Sequence, residues 1–523
     1  MLVPRSHRGL GATLREFTCL ERRISPLDYN IAILGSVHGG IGAVSPVGRF
    51  GSPEQQARWL PELAWTKLSA FALTESSAGS DTQACKLTGV REGSDIVVHG
   101  EKLFITNVII GEESQFLRLV SLVLRIDGKF QVGIIMLPEK ESAQFNHGKR
   151  YTLNALARLQ NHRLVFNGFR FPAADLLPLP EAFDGRVVAL WSLALGRTSL
   201  GALSDGAIAY LGANIAPWCE KRQTFGRPLA DRQQIQWFAG RIAAAGICAY
   251  CLTDAAASLF DQGFQIELEA MMAKIQATDA VTGALSDFKF IHGGRIADRT
   301  HPYARLAQDV ALMQIYEGAN PPLSMNWLKT LLKINSNRFI MPLITALQQH
   351  NVLDKEGALH WGPAMNPKHW STLWRAAWPY LKLKLAAVNP FACSEIELPP
   401  LPPALAHHVR FALHGLKRAR AQVLSALERH GKNFYNMQCA ADRLSRDVQS
   451  LFKVLVIALR AGEENPELHL AADVACDMIR RELHGGRPST SEDEKFAALG
   501  RQVIAGRFPL WDGIEPDPIV LNY

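Results

Sequence analysis

The spacing of apolar positions changes twice along the chain, and each change predicts a different kind of element. Residues 1–65 read as helix and loop. Ser52-Pro-Glu-Gln-Gln-Ala57 opens with a serine cap, a proline at the first helical position and an acid in the first turn. Tyr29 to Gly48 has no acid or strong base and is rich in glycine, with Pro46 inside it, so it predicts a helix end and a loop. From 66 to 178 the apolar runs become short and β-rich: Asp95–His99, Leu117–Leu124, Gln131–Leu137 and Arg163–Pro172, split by Gly, Asp and Lys turns. This predicts a small antiparallel β domain. From 179 to 345 Ala and Leu return at helical spacing, through Val187–Trp218, Gln233–Gln262 and Ile266–Phe290, and predict a helical bundle. The remainder, 346–523, reads as a helical extension. It has a helical stretch over 366–387, then a stiff linker at Asn389-Pro-Phe and Leu398-Pro-Pro-Leu-Pro-Pro403. Three amphipathic stretches follow, Ala404–His430, Ala440–Ala461 and Leu468–His484, and Ser491-Glu-Asp-Glu opens a last short helix. The fold class expected is α+β.

Composition narrows this little. Apolar residues make up 48% of the 523, and charged residues 20%, as in ordinary globular proteins. No run reads as a spanning helix, and Met1-Leu-Val-Pro-Arg-Ser-His-Arg8 does not resemble a secretory signal. A net charge of +7 suits a phosphate-bearing ligand, an anionic membrane or nucleic acid equally. The eight cysteines are scattered, which fits a reducing compartment. Cys248-Ala-Tyr-Cys251 lies in an Ala-rich helical run with no second pair at metal spacing, so core packing is the simpler reading.

Four segments carry candidate chemistry. Phe71-Ala-Leu-Thr-Glu-Ser-Ser-Ala-Gly-Ser80-Asp81 can offer N–H and hydroxyl donors from a tight loop. Glu101-Lys-Leu-Phe-Ile-Thr-Asn107 ends a strand on an aromatic and a hydroxyl. Arg222-Gln-Thr-Phe-Gly-Arg-Pro-Leu229, followed by Gln233, can clamp a pyrophosphate. His292-Gly293-Gly294 precedes Ile315-Tyr316-Glu317-Gly318-Ala319-Asn320, which sets one carboxylate among apolar residues.

In order and spacing these segments resemble the acyl-CoA dehydrogenase family, over residues 15–335. The resemblance implies a fold of N-terminal helices (shortened here, since members carry further helices before the point where this chain starts), β domain and helical bundle. The tail resembles the extra C-terminal region of longer bacterial members. It implies FAD as cofactor, an acyl-CoA substrate, an electron-transfer flavoprotein as electron acceptor, and a homodimer or homotetramer. Glu317 is then the base that removes the α-proton, and Arg197 the active-site arginine. Phe71, Leu73, Thr74, Ser80, Phe104, Ile105 and Thr106 line the flavin. Arg222, Thr224, Phe225 and Gln233 reach the FAD of a neighbouring subunit, and Gly293 and Gly294 approach it closely. Ser80, Arg197 and Gly318 meet the substrate. No metal is implied. Several positions depart from the family: Ser76-Ser77 for Pro-Gly, Phe104 for Trp, Phe290 for Gln, Arg295-Ile296 after the glycine pair, Gln308 for Arg, and Ala319 for Thr.

The expected activity is conversion of medium- or long-chain acyl-CoA to trans-2-enoyl-CoA in fatty-acid β-oxidation, in the cytoplasm with peripheral contact at the inner membrane face. An acyl-CoA oxidase stays open. So does a flavoprotein that no longer dehydrogenates and binds membrane or nucleic acid through Arg410, Lys417, Arg418, Arg420 and Arg429. Nucleic acid is disfavoured, because no aromatics interleave with these charges.

Overall fold

A computed structural model describes residues 1–108, 116, 118–180, 184–354, 358–388 and 397–518. It divides into two units. The first comprises Met1–Asn320, Leu470–Ala475 and Pro488–Tyr523.

This unit begins with α1 (Leu14–Ile24), capped by a reciprocal Thr13–Glu16 box, and α2 (Tyr29–Ser36), capped by Asp28. A π turn (Val37–Ile41) leads into α3 (Val44–Phe50). The loop expected over 29–48 is therefore mostly helical. Two of its glycines serve close packing: a Cβ on Gly39 would stand 2.7 Å from the Phe17 ring, and one on Gly40 3.1 Å from the Cα of Gly196. α4 (Pro53–Trp65) starts at Ser52, whose hydroxyl and Gln55 form the capping box.

The β domain holds β1 (Ser69–Ala72), β2 (Thr88–Glu92), β3 (Asp95–Thr106), β4 (Leu119–Ile126), β5 (Lys129–Met136), β6 (Phe145–Asn146) and β7 (Asn161–Pro172) in one seven-stranded sheet. It is not wholly antiparallel. β4 runs parallel to both β1 and β2, while β3 pairs antiparallel with β2 and β7. Ile96, Val98, Val120, Leu122, Leu124, Leu164 and Phe166 fill its core. Leu117, expected to open the second run, lies outside the described residues.

The bundle consists of α5 (Arg186–Ala213), α6 (Ile215–Lys221), a small hairpin of β8 (Gln223–Thr224) and β9 (Arg227–Pro228), α7 (Gln233–Asp261), α8 (Glu267–His292) and α9 (Pro302–Met313). α5, α7 and α8 pack on one another. Among the described residues, three stretches, Tyr29–Phe50, Arg186–Lys221 and Gln233–Asp261, are long and apolar enough to cross a membrane, contrary to the reading of the sequence alone. Their apolar windows are 72%, 83% and 78% buried inside the protein, which makes them core helices here. Cys248 and Cys251 are buried on α7, as core residues.

The second unit comprises Pro321–His469 and Cys476–Arg487. Its helices are α10 (Asn320–Asn335), α11 (Met341–Gln349), α12 (Trp361–Ala364), α13 (Pro367–Val388), α14 (Pro403–His430), α15 (Gln438–Glu463) and most of α16 (His469–His484). Trp327 is fully buried, and Ser324, Ser445 and Gln449 share a buried hydrogen-bond cluster. The Asn389-Pro-Phe half of the expected linker lies outside the described residues.

The last helix, α17 (Thr490–Ile504), is capped by Ser489, two residues before the expected start, and belongs to the first unit. It packs on α7 with backbones almost touching. A Cβ on Gly500 would meet the Gln236 carbonyl oxygen at 1.7 Å, and one on Gly240 the Phe496 oxygen at 2.2 Å. The unit boundaries thus differ from a cut at 345/346: the second unit starts at Pro321, and the end of the chain returns to the bundle.

Candidate active site

Glu317 sits in the turn between α9 and α10 at φ +57°, a left-handed conformation uncommon for a side-chain-bearing residue, and Gly318 follows at +105°. The turn places part of the residue at the surface, yet both carboxylate oxygens are sealed from solvent and take no hydrogen bond among the described residues. They lie against α5 at a position that only glycine permits. A Cβ on Gly196 would stand 2.6 Å and 2.8 Å from the two oxygens, and 2.3 Å from the Ile41 side chain.

Two buried cations hold the turn by its backbone. Arg197 Nε donates to the Glu317 carbonyl at 3.0 Å. Lys274 Nζ, on α8, donates to the Gly318 carbonyl at 2.7 Å and to Asn320 Oδ1 at 2.6 Å. Asn320 in turn donates to Thr278 Oγ1 and Asp279 Oδ1. Both cations hold the turn by its backbone, and neither makes a salt bridge to the carboxylate among the described residues. The Glu317 N–H makes no hydrogen bond among the described residues.

The electrostatics follow from this geometry. Burial raises the Glu317 carboxyl to about 7, against the pull of Arg197 and Lys274. Burial lowers the Lys274 ammonium to about 7, although Glu317 favours its charged form. A second acid, Glu21 on α1, is raised to about 8 by burial; the Ser199 hydroxyl opposes this and the charge on Glu317 adds to it. Ser199 lies three residues after Gly196 on α5, so the two acids meet one helix face about a turn apart.

The β-domain residues form a separate surface joined to this one. Pairing of β3 with β7 is irregular between Lys102 and Ile105. There Phe104 takes φ +56°, stays 51% exposed and stacks on Tyr151 at 4.4 Å. Such an irregularity re-aims a side chain out of the sheet. Thr74 is tied to this strand by the Leu103 N–H, and Thr106 accepts from Asn161. A buried Lys102–Glu75 pair at 2.7 Å anchors the 71–81 loop, with Lys102 also donating to the Leu73 carbonyl. Phe71 and Leu73 are half-buried, Ile105 is buried and Ser80 is exposed. Asn107 reaches the Leu34 and Ser69 carbonyls. The α2–π segment that holds Leu34 also carries Gly40, which meets Gly196. One short helical segment therefore links the strand end to the surroundings of Glu317.

The other sites stand apart. Phe225 tips the β8–β9 hairpin at φ +47° and is 96% exposed, with the Arg232 guanidinium over its ring. Arg222 is exposed and Thr224 accepts from Arg232. Gln233 faces α17 through Glu494. Gly293 and Gly294 are exposed with open space where a Cβ would be.

Sequence reasoning missed Gly196, Lys274, Asn320, Glu21 and Tyr151. Two had a signal: Gly196 interrupts a helical run directly before Arg197, and Lys274 is a single charge within Ala270–Ile275.

Residues 1–67 match the acyl-CoA dehydrogenase N-terminal domain and residues 184–327 the acyl-CoA dehydrogenase C-terminal domain. An acyl-CoA dehydrogenase of Bacillus subtilis is 30% identical over 319 residues, 61% of this chain and 82% of that protein. The chain belongs to the acyl-CoA dehydrogenase family. An NADH-dependent acryloyl-CoA reductase of Anaerotignum propionicum is also 30% identical, over 61% of this chain and 79% of the relative. The FAD complex of a Bacillus anthracis acyl-CoA dehydrogenase shares the fold with a TM-score of 0.75 at 20% identity, covering 96% of this chain and 86% of that one. The family cofactor is FAD, and the residues present fit it. The outward-turned Phe104 offers a flat face, Thr74 and Thr106 offer hydroxyls, and the open Gly293-Gly294 backbone lets a phosphate-bearing ligand approach.

Proposed function

We propose that this FAD-dependent acyl-CoA dehydrogenase oxidises medium- or long-chain acyl-CoA to trans-2-enoyl-CoA in fatty-acid β-oxidation. The observation that carries the dehydrogenation is the Glu317 carboxylate, buried and without a hydrogen bond among the described residues on the bare Gly196 face of α5, where burial raises it to about 7. A base matched to neutral pH is what removal of a weakly acidic α-proton needs. Glu317 takes that proton, and its free N–H donates to the thioester oxygen as enolate charge develops there. Arg197 and Lys274 keep the turn in place during the transfer. FAD, when bound, supplies the acceptor for the hydride leaving Cβ. An electron-transfer flavoprotein takes the electrons onward. The exposed 222–229 hairpin supports a homodimer or homotetramer in which Phe225 meets the neighbour's cofactor, and we place the enzyme in the cytoplasm.

Anaerobic mixing of the flavin-loaded protein with saturated acyl-CoAs of graded length tests the reading. Bleaching that is fastest for medium or long chains supports it. The reductase relative favours one alternative direction: bleaching by NADH, and none by any saturated acyl-CoA, would reverse the assignment. Rapid reoxidation by oxygen would instead make the enzyme an oxidase.

A further inference from the structure

The second unit carries an exposed aromatic stripe that the chemistry above does not use. On α13, Trp370, Trp374 and Trp378 are 58%, 60% and 48% exposed. Steps of four residues rotate each ring only about 40° from the last, so the three share one face. Leu385, 62% exposed, falls on the same arc. Trp361 and Met365, at α12 and just beyond it, are each 74% exposed. The rings of Trp374 and Trp378 lie 5.7 Å apart, and the Trp370 indole N–H is already satisfied by the Ala364 carbonyl. The helix is held from elsewhere, by α11 and α14.

The charges that α13 itself carries have one sign. Lys368, Arg375 and Lys382 are exposed and sit roughly 120–160° around the helix from Trp370, along one edge of the arc. α13 contains no Asp or Glu. α15 differs: there Arg446 pairs with Asp442 and Arg460 with Glu463. Contiguous exposed rings on this scale mark an interaction surface. Tryptophan favours the membrane–water boundary, where the ring loses water and the N–H stays near it. An edge of cations that make no salt bridge among the described residues then meets anionic headgroups.

We propose that α13 lies in the plane of an anionic bilayer surface with its tryptophan face inserted. This locates the membrane contact on 361–385 rather than on the basic helices after 404, and it is independent of the catalytic reading.

The test uses the full, flavin-loaded chain and vesicles of phosphatidylcholine with or without phosphatidylglycerol. The expected result is sedimentation with the anionic vesicles at low salt, with indole emission shifted to the blue and quenched by brominated acyl chains. Trp370→Gln/Trp374→Gln/Trp378→Gln should weaken partitioning by about tenfold or more. Its flavin content and acyl-CoA bleaching should not change, which shows that the variant is folded. Arg375→Gln/Lys382→Gln should weaken binding on the order of tenfold and flatten its salt dependence. Three outcomes overturn the proposal: no vesicle binding by the wild type, unchanged binding by the folded triple variant, or a wild-type dimer that the triple variant dissolves while brominated lipid quenches nothing. The last would assign the face to a second copy of the chain.

Discussion

The turn at 315–320 and the hairpin at 222–229 look alike locally and differ in everything around them. Each is short, each carries a glycine, and each bends through one side-chain-bearing residue at positive φ, Glu317 at +57° and Phe225 at +47°. The Glu317 carboxylate is closed off on α5, with its backbone gripped by Arg197 and Lys274. Phe225 is 96% exposed, its ring covered in part by Arg232. A carboxylate held dry and fixed needs only the segments of one chain around it. An aromatic on a projecting hairpin gains nothing until another surface covers it. The Glu317 carboxylate is thus enclosed by its own chain, and the Phe225 ring is not.

The contrast can be broken most severely at Glu317. Glu317→Gln should keep flavin bound and slow bleaching by acyl-CoA about 10²–10⁴-fold in stopped flow; a wild-type rate would remove Glu317 from the chemistry. Gly196→Ala should come next, with a loss of about 10²-fold, because its Cβ would occupy the space of the carboxylate oxygens at 2.6 Å and 2.8 Å. If Gly196→Ala bleaches normally, the carboxylate does not work from that position.

Lys274→Met should cost roughly tenfold through a looser turn, and it should also move the pH profile. With Glu317 near 7, bleaching should rise as pH climbs through 7 and level off above, since the base must be unprotonated. Lys274 titrates over the same range, so the rise should be broad. Removing its charge should shift the midpoint upward by about one unit. An unmoved midpoint would limit Lys274 to a structural role.

At the hairpin, Arg222→Ala should weaken FAD retention by roughly 1.5–3 kcal/mol. Phe225→Ser should leave monomer stability within about 0.5 kcal/mol yet lower flavin content and assembly size together. Unchanged flavin and size in both variants, read by sizing chromatography with flavin absorbance, would mean that the hairpin has no partner.

Much of the secondary structure was legible from periodicity. α13, α14 and α15 begin within two residues of the stretches expected for them, and α4 starts at its serine cap. Errors arose where a local signal has two meanings. Glycines near 39–42 signal a loop or a close helix contact, and only the facing Phe17 and Gly196 decide between them. The strands read as antiparallel, but partners of β4 come from distant segments that no local pattern specifies. At the site, Glu317 and Arg197 were legible by resemblance, and the structure joins them through one hydrogen bond. Lys274 and Gly196 were not, because their importance lies in what faces them.

The sequence alone determined which residue types stand where: a lone acid in an apolar turn, a proline at a helix start, a tryptophan every four residues. These follow from local chemistry and the helical period. Only tertiary structure decided that the acid lies on a glycine, that a lysine holds its turn, and that the tryptophans stay uncovered. Burial raises a carboxyl toward 7 only when distant segments exclude water from it together, and no stretch of sequence contains that information by itself.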